Sequence, residues 1–279
     1  MNPHQAGFLK EQVLPVLATI VVCAFLVGVL FLEILFLNQF TTTDILLSFR
    51  WVDVLVGLTI YLKTSIDFAI FIGHLMHDNA GWKSRLSIEI GTAFGNAAGT
   101  FAVLAVWTFF KEVKWLLALM IFLAALVLFK LAEQSLEHAK DEDDRYPNWF
   151  RRTVFYFELW LGRFNRLVAP VLKYVVPSIS MKSAKRTGFW SLLAFSFTVP
   201  FILGLDDFAG YVPLFSVVNV FGFGIGVFVG HMLLNMLLYI SPAHTIKVVK
   251  NPIISLIGSF VFVGLGIWGI SEVAHLIGV

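Results

Sequence analysis

The chain has 279 residues, of which 58% are hydrophobic and only 14% are charged, and its formal net charge is +2. Because soluble domains carry about 25% charged residues, this composition excludes an ordinary soluble protein. The single cysteine, Cys23, excludes an internal disulfide framework and a CxxC redox pair. We therefore expect an integral membrane protein whose basic residues set its topology, with the lipid bilayer and no nucleic acid among its partners.

Seven apolar runs are predicted to cross the bilayer as helices, because a hydrocarbon core requires about 20 apolar residues. The runs are residues 13–37, 54–76, 87–110, 115–136, 188–213, 217–240 and 252–277. Hydrophobicity is continuous along each run rather than alternating, which excludes a transmembrane barrel. The first run has no small-residue cleavage site after it, so we expect it to remain as a helix. The predicted fold class is an all-α polytopic membrane protein with seven transmembrane helices.

The distribution of lysine and arginine predicts the orientation of these spans. Basic residues concentrate in the connections at 77–86, 137–187 and 241–251, so we expect the N-terminus in the cytoplasm and the C-terminus outside a bacterial inner (plasma) membrane. After an N-terminal transmembrane helix at 1–42, residues 43–136 and 188–279 hold three spans each. Because three is an odd number, these halves are predicted to be inverted three-helix repeats. In the extra first helix, Glu33 is predicted to lie at the level of the lipid headgroups.

The linker at 137–187 differs in composition from the spans on either side. Aromatic residues alternate with basic ones between Trp149 and Tyr174, and Pro170 is predicted to break the segment. A basic, aromatic-rich amphipathic stretch is typical of a helix that lies on the membrane surface. We therefore interpret residues 137–187 as a cytoplasmic amphipathic linker.

The second span carries hydroxyl and carboxylate groups in its apolar surroundings. Thr64 and Asp67 are three residues apart, so on a continuous helix they share a face, which extends to His74. With Ser65, these oxygens suit a hard divalent cation such as Mn²⁺, Ca²⁺ or Mg²⁺. A structural alternative is an i, i+4 ion pair between Asp67 and Lys63, but it does not explain a second aspartate in the other half.

The fifth span repeats part of this motif, because Asp207-Phe208-Ala209 matches Asp67-Phe68-Ala69. A carboxylate deep in lipid is unfavourable by about 2.5–3.5 kcal/mol on insertion scales and usually marks a functional site. Pro200 and nearby glycines are predicted to break the helix and to expose carbonyl oxygens. We expect Asp207 to face the site and Asp206 to point about 100° away from it. The alternative is a helix end where both aspartates are solvated caps.

The third and sixth spans carry polar side chains and glycines at helical spacing. In the third span the polar residues are Glu89, Thr92, Asn96 and Thr100. Asn96 is the deeper ligand candidate, whereas Glu89 is a candidate that lies nearer the interface. The glycines, which allow two helices to approach closely, are Gly91, Gly95 and Gly99 in the third span and Gly222, Gly226 and Gly230 in the sixth.

His231 and Asn235 form an i, i+4 pair in the sixth span. A lone histidine in a helix is more often a hydrogen-bonded packing residue than a ligand. Its protonation range also suits proton coupling, for which His231 and His74 are the candidates.

Two of these segments resemble the motifs of a known family. Thr64-Ser65-Ile66-Asp67 is similar to the first-repeat motif of the LysE-type exporter superfamily, closest to its CadD-like (cadmium resistance) and TerC-like cation exporters. The segment Gly204–Phe215 is similar to the second-repeat motif of CadD-like proteins. The resemblance implies two inverted three-helix repeats and a divalent-cation site at Asp67 and Asp207, with Ser65, Asp206 and Asn96 nearby. Phe68 stands where CadD-like sequences often have a second acidic residue.

These observations predict a secondary transporter that exports a divalent metal cation, Mn²⁺, Cd²⁺ or a similar ion, with no catalytic activity and no resident cofactor. The candidate metal ligands are Asp67, Asp207, Asp206, Ser65, Thr64, Asn96 and Glu89. Two carboxylates held close together would favour proton binding when no metal is present, which suits proton antiport. Two alternatives stay open, namely an exporter of a small organic solute such as an amino acid, and an intramembrane aspartyl enzyme.

Overall fold

The structure is a computed structural model that describes residues 13–79, 81–137, 139, 146–175, 188–215, 218–249 and 251–278. Within these ranges, residues 63, 66, 67, 171–175, 203–210, 242, 243, 246 and 249 are described by their backbone alone. The described chain is made of helices joined by turns and contains no strand. The all-α fold class is thus confirmed for this part of the chain.

The described residues form ten α-helices. They are α1 (Leu14–Leu37), α2 (Trp51–Thr64), α3 (Ile66–Asp78), α4 (Trp82–Phe110), α5 (Lys114–Glu137), α6 (Asn148–Val175), α7 (Phe189–Tyr211), α8 (Val220–Ile240), α9 (Pro242–Val249) and α10 (Pro252–Ile277). Short 3-10 helices follow α1 at Asn38–Phe40 and α7 at Val212–Leu214. The starts of α8 and α10 are capped by Asn219 and Asn251, whose side-chain oxygens accept hydrogen bonds from backbone N–H groups in the first turn.

Five of the described helices are long and apolar enough to cross a membrane: Leu14–Phe40, Trp82–Phe110, Lys114–Glu137, Val220–Ile240 and Pro252–Ile277. The second and fifth predicted spans correspond to the shorter apolar helices Trp51–Leu62 and Phe189–Ile202. Many large apolar side chains are exposed, including Val21, Trp51 and Trp190. Such a surface is unfavourable in water but suits contact with lipid. The chain is therefore a helical membrane protein, whereas the count of seven spans stays a prediction.

The second predicted span is interrupted at Ser65, where a continuous helix was expected. Ser65 has φ −87° and ψ 22°, so α2 ends at Thr64 and α3 begins at Ile66. The Thr64 hydroxyl donates to the carbonyl of Tyr61 at 3.2 Å. The backbone N–H of Ser65 still donates to the carbonyl of Tyr61, and its carbonyl still accepts from Ala69, so the interruption is confined to one residue. Thr64 therefore lies on α2, whereas Asp67 and His74 lie on α3. The prediction that all three share one helix face assumed a continuous helix, so it does not hold here.

The fifth predicted span remains one helix, so the expected break at Pro200 is wrong. The backbone of α7 is helical from Phe189 through Pro200 to Tyr211. Proline removes one helix hydrogen bond, and neighbouring helices in a membrane protein can compensate for that loss. Here α4 packs closely against the turns that precede Pro200, through Gly91 and Gly95. Likewise, Pro170 lies inside α6 and does not break it.

The chain divides into two compact units, and each draws helices from both predicted halves. The first unit lies within Met1–Phe109, Met181–Asp207 and Val217–Ile246, and the second within Phe110–Ser180, Phe208–Ser216 and Lys247–Val279. The first contains α1 to α4, most of α7, and α8. The second contains α5, α6 and α10.

In the first unit, helices approach closely along the two predicted glycine stripes. On α8, Gly222, Gly226 and Gly230 pack against α2, where a methyl group added at Gly226 would collide with the carbonyl oxygen of Val54. On α4, Gly91 and Gly95 pack against α7, where an added methyl at Gly95 would collide with the carbonyl oxygen of Phe197. The prediction that these glycines allow close helix packing is therefore confirmed at both stripes.

In the second unit, α5 and α10 are joined by two reciprocal serine hydrogen bonds. Ser135 Oγ donates to the carbonyl of Ser255, and Ser259 Oγ donates to the carbonyl of Ala132, both at 2.8 Å. The amphipathic helix α6 packs against α5, where the Asn165 side chain donates to the carbonyl of Phe129. The linker helix is therefore anchored to the core of this unit by a buried polar contact as well as by apolar packing.

Candidate functional site

A cluster of buried polar side chains lies inside the first unit, where α1, α2, α4 and α8 meet. We call this cluster the polar core and define it by the residues Thr19, Tyr61, Glu89, Thr92, Asn96, His231 and Asn235, all of which are buried. Buried polar groups in membrane proteins usually mark ion or proton pathways. The polar core is therefore the candidate functional site of the described chain.

His231 stands at the centre of the polar core and is 4% exposed. Its Nε2 lies 2.8 Å from Nδ2 of Asn235, and its Nδ1 lies 2.7 Å from the Tyr61 hydroxyl. An amide nitrogen can only donate, so Nε2 accepts and the ring is neutral with its proton on Nδ1. The ring of His231 also lies 5.5 Å from that of Phe68. His231 thus contacts the chain on both sides of the Ser65 interruption.

Asn235 extends this network to α4. Its Nδ2 donates to the hydroxyl of Thr92 at 3.1 Å, and that hydroxyl donates to the carbonyl of Glu89 at 3.0 Å. The predicted i, i+4 pair on α8 is therefore in direct contact, and α4, α8 and α2 are connected by one chain of hydrogen bonds. Low local polarity makes such a network sensitive to the loss of any member.

Glu89 is 2% exposed, so its carboxyl group is enclosed by neighbouring helices. The hydroxyl of Thr19, on α1, is hydrogen-bonded to Oε1 of this carboxyl group. The other oxygen, Oε2, has no hydrogen-bond partner among the described residues. The helix that stands outside the predicted repeats thus supplies a direct partner to a candidate site residue.

A small cavity borders the polar core between α1, α4 and α8. Its lining includes the polar groups of Thr19, Asn96 and His231 together with Cys23. The space accommodates about one water molecule. Asn96 is 4% exposed, and its Nδ2 has no hydrogen-bond partner among the described residues. The cavity therefore combines free volume with an unsatisfied buried polar group.

The remaining predicted site residues have different surroundings. Ser65 is buried, and its Oγ has no partner within the described part of the chain, whereas Thr64 bonds to its own helix. His74 is exposed and is not part of the polar core. The side chains of Asp67, Asp206 and Asp207 lie outside the described residues. Among the side chains that are described, no group of three or more His, Cys, Asp or Glu residues could hold a metal ion.

Two members of the polar core, Thr19 and Tyr61, were not identified from the sequence. Thr19 lies on the buried stripe of α1 with Leu26 and Leu30, at helical spacing, and this periodicity was the available signal. Tyr61 precedes Ser65 by one helical turn, but nothing in the sequence indicated that it would meet a histidine 170 residues further along the chain.

Comparison of the chain with protein-family models, with curated proteins and with solved structures gives no match.

Proposed function

We propose that the protein is a secondary transporter that exports a divalent metal cation, such as Mn²⁺ or Cd²⁺, across a bacterial inner membrane. Asp67 and Asp207 are the principal ligands, with Asp206 and Ser65 beside them. The ion binds between the inverted repeats and leaves on the outer side as the repeats rock against each other. The cation is cargo and not a resident cofactor.

The observation that carries this proposal is the interruption of the helix at Ser65. Transporters commonly hold their substrate where a membrane-spanning helix is discontinuous. Here the interruption lies two residues before Asp67, and the adjacent turns of α2 and α3 contact His231 through Tyr61 and Phe68. An aspartate beside a broken helix and a buried polar network is the arrangement expected of an ion-binding site.

The pattern of helix contacts supports an inverted repeat. If spans two, three and four correspond to spans five, six and seven, the contact of α2 with α8 corresponds to that of α7 with α4. Spans four and seven are α5 and α10, so exchanging the two halves leaves their contact with each other unchanged. All three contacts are present. In both glycine stripes, a cavity-lining residue comes directly after a glycine: Asn96 after Gly95, and His231 after Gly230. Equivalent residues of two repeats would face a common site in this way.

The chemistry of the proposed ligands favours a cation over an organic solute. Oxygen ligands such as carboxylates, hydroxyls and amide carbonyls suit Mn²⁺, Mg²⁺ or Ca²⁺ by their hardness. An exporter of an organic solute is therefore the second candidate.

The proposal is tested by measuring metal content and growth of cells that express the wild type or Asp67→Asn, across a panel of divalent ions. We expect the wild type to lower the content of one ion and to raise tolerance to it, and Asp67→Asn to abolish both effects. Asp78→Asn is the matched control, because it removes an exposed carboxylate from the end of α3. If wild-type expression changes neither content nor tolerance for any ion, metal export is wrong and the organic-solute exporter becomes the first candidate.

A further inference from the structure

Helix α6 of the second unit has one covered face and one exposed face. The covered face packs into the core that α5, α6 and α10 form together, through Phe150, Val154 and Leu161. These residues recur at helical spacing, as they do on an amphipathic helix. The opposite face is exposed, and we call it the arginine face. It consists of Arg152, Tyr156, Leu159, Arg163, Arg166 and Leu167.

The three arginines of this face lie close together around the helix axis and have no acidic partner among the described residues. With about 3.6 residues per turn, Arg152, Arg163 and Arg166 fall within about 60° of one another. The described ion pairs do not include them, and Arg166 Nε donates to the carbonyl of Gly162 on its own helix. Glu158, the one acidic residue of α6, is half-buried and lies about 110° away from the centre of this group. The arginine face is therefore complementary to an anionic surface.

The apolar side of the arginine face continues the exposed surface of a membrane-length helix. Tyr156 and Leu167 are exposed beside the arginines, on the side where Phe157 stacks on Phe260 of α10, with ring centroids 4.6 Å apart. Phe260 is itself 50% exposed, and α10 is long and apolar enough to cross a membrane. Exposed apolar side chains on both helices thus form one band, and the arginines border it. A helix at the boundary between acyl chains and headgroups has this arrangement.

We propose that the arginine face of α6 binds the headgroups of anionic phospholipids, with Arg152, Arg163 and Arg166 on the phosphate groups and with Tyr156 and Leu167 against the acyl chains. The guanidinium group suits this role, because its planar set of donors binds two phosphate oxygens at once. A zwitterionic headgroup fits less well, since its own cation would face three unpaired positive charges. This lipid preference does not depend on the cargo or on the proposed transport function.

The proposal is tested by measuring which lipid lies next to α6 in proteoliposomes of the full-length protein. Cys23→Ser removes the single native cysteine, and Leu167→Cys then accepts a fluorophore on the arginine face. The vesicles consist of phosphatidylcholine with a small fraction of spin-labelled phosphatidylglycerol or spin-labelled phosphatidylcholine, and either spin label quenches a nearby fluorophore. We expect the anionic label to quench several-fold more strongly, because each arginine near anionic lipid strengthens binding by about fivefold.

Replacement of the three arginines by glutamine should make the two lipids quench equally, whereas replacement by lysine, which keeps the charge, should preserve most of the preference. A fluorophore at Ile267→Cys is the matched control, because Ile267 is an exposed residue of α10, a helix without lysine or arginine. There we expect equal quenching by both lipids. The preference at Leu167→Cys should also fall as salt is raised, and this readout needs no arginine variant.

Three results would overturn the proposal. The first is equal quenching by the two lipids while the arginines are intact, and the second is a preference that survives the glutamine replacements or is unaffected by salt. The third is loss of the preference when glycerol phosphate is added, which would show that the arginine face binds a soluble phosphate rather than a lipid.

Discussion

Asn235 fixes the protonation form of His231, because its Nδ2 donates to Nε2 of the imidazole across 2.8 Å. The proton of the neutral ring therefore lies on Nδ1, which faces the Tyr61 hydroxyl at 2.7 Å. One amide on α8 thus orients a histidine that joins α8 to α2. The same amide also donates to Thr92 on α4. Asn235 therefore donates hydrogen bonds to two members of the polar core, His231 and Thr92.

We expect Asn235→Ala to lower the free energy of unfolding by about 1–3 kcal/mol, because it leaves His231 Nε2 and the Thr92 hydroxyl buried without a donor. The measurement is thermal unfolding of the detergent-solubilised protein. Thr198→Val is the control, since Thr198 is exposed and its hydroxyl returns to the carbonyl of Ala194 on its own helix. Equal melting temperatures for Asn235→Ala and the wild type would contradict this role.

The parts of this fold that could be predicted from the sequence are those that depend on local spacing. Glycines four residues apart predicted close helix packing, and Gly95 and Gly226 do meet backbone carbonyls of neighbouring helices. The i, i+4 spacing of His231 and Asn235 predicted a pair, and the two side chains are hydrogen-bonded. Helical periodicity fixes which residues of one helix share a face, so such predictions need no knowledge of the partner helix.

Other features depend on tertiary contacts that no local pattern contains. The helix was expected to break at Pro200, yet it continues there and breaks at Ser65 instead, because packing and side-chain hydrogen bonds decide whether a membrane helix tolerates a lost backbone bond. Likewise, Glu89 is hydrogen-bonded to Thr19, 70 positions away in the chain, and no local pattern indicated this partner.

Close packing of α8 against α2 predicts that replacing two different glycines by alanine has opposite effects on the free energy of unfolding. Gly226→Ala should lower the free energy of unfolding by about 1–3 kcal/mol, the usual penalty for overpacking, because the added methyl collides with the Val54 carbonyl. Gly264→Ala on α10 has nothing within 4 Å of the added methyl and should stabilise the helix by up to about 1 kcal/mol. Melting temperatures of both variants provide the test, and similar shifts would refute the close contact.

Ser65→Ala should separate function from stability. Because Ser65 Oγ has no hydrogen-bond partner among the described residues, its removal breaks no hydrogen bond and should not lower the free energy of unfolding. If Ser65 contributes an oxygen ligand beside Asp67, ion export should nevertheless fall. Ser135→Ala is the contrasting variant, since it removes the bond to Ser255 and should lower stability. Unchanged export by Ser65→Ala would remove this residue from the ligand set.

The start of α2 is held by an ion pair whose partners differ in burial. Arg50 Nε and Nη2 donate to the two oxygens of Asp53 at 2.6 and 2.8 Å, and the Asp53 side chain is 1% exposed whereas that of Arg50 is 58% exposed. Asp53 also packs against Gly222 at the start of α8. The pair therefore lies at the point where α2 and α8 begin to pack together.

We expect Arg50→Ala to lower the free energy of unfolding only modestly, since solvent screens the exposed guanidinium but the carboxylate loses its counter-ion. Asp53→Asn should be destabilising on its own, and the double variant should be more stable than the sum of the single changes predicts, because it leaves no unpaired buried charge. Thermal unfolding of the four proteins at low and high salt measures this interaction energy. A value of zero at low salt would show that Asp53 is stabilised by its other contacts alone, and the ion pair would then have no part in joining α2 to α8.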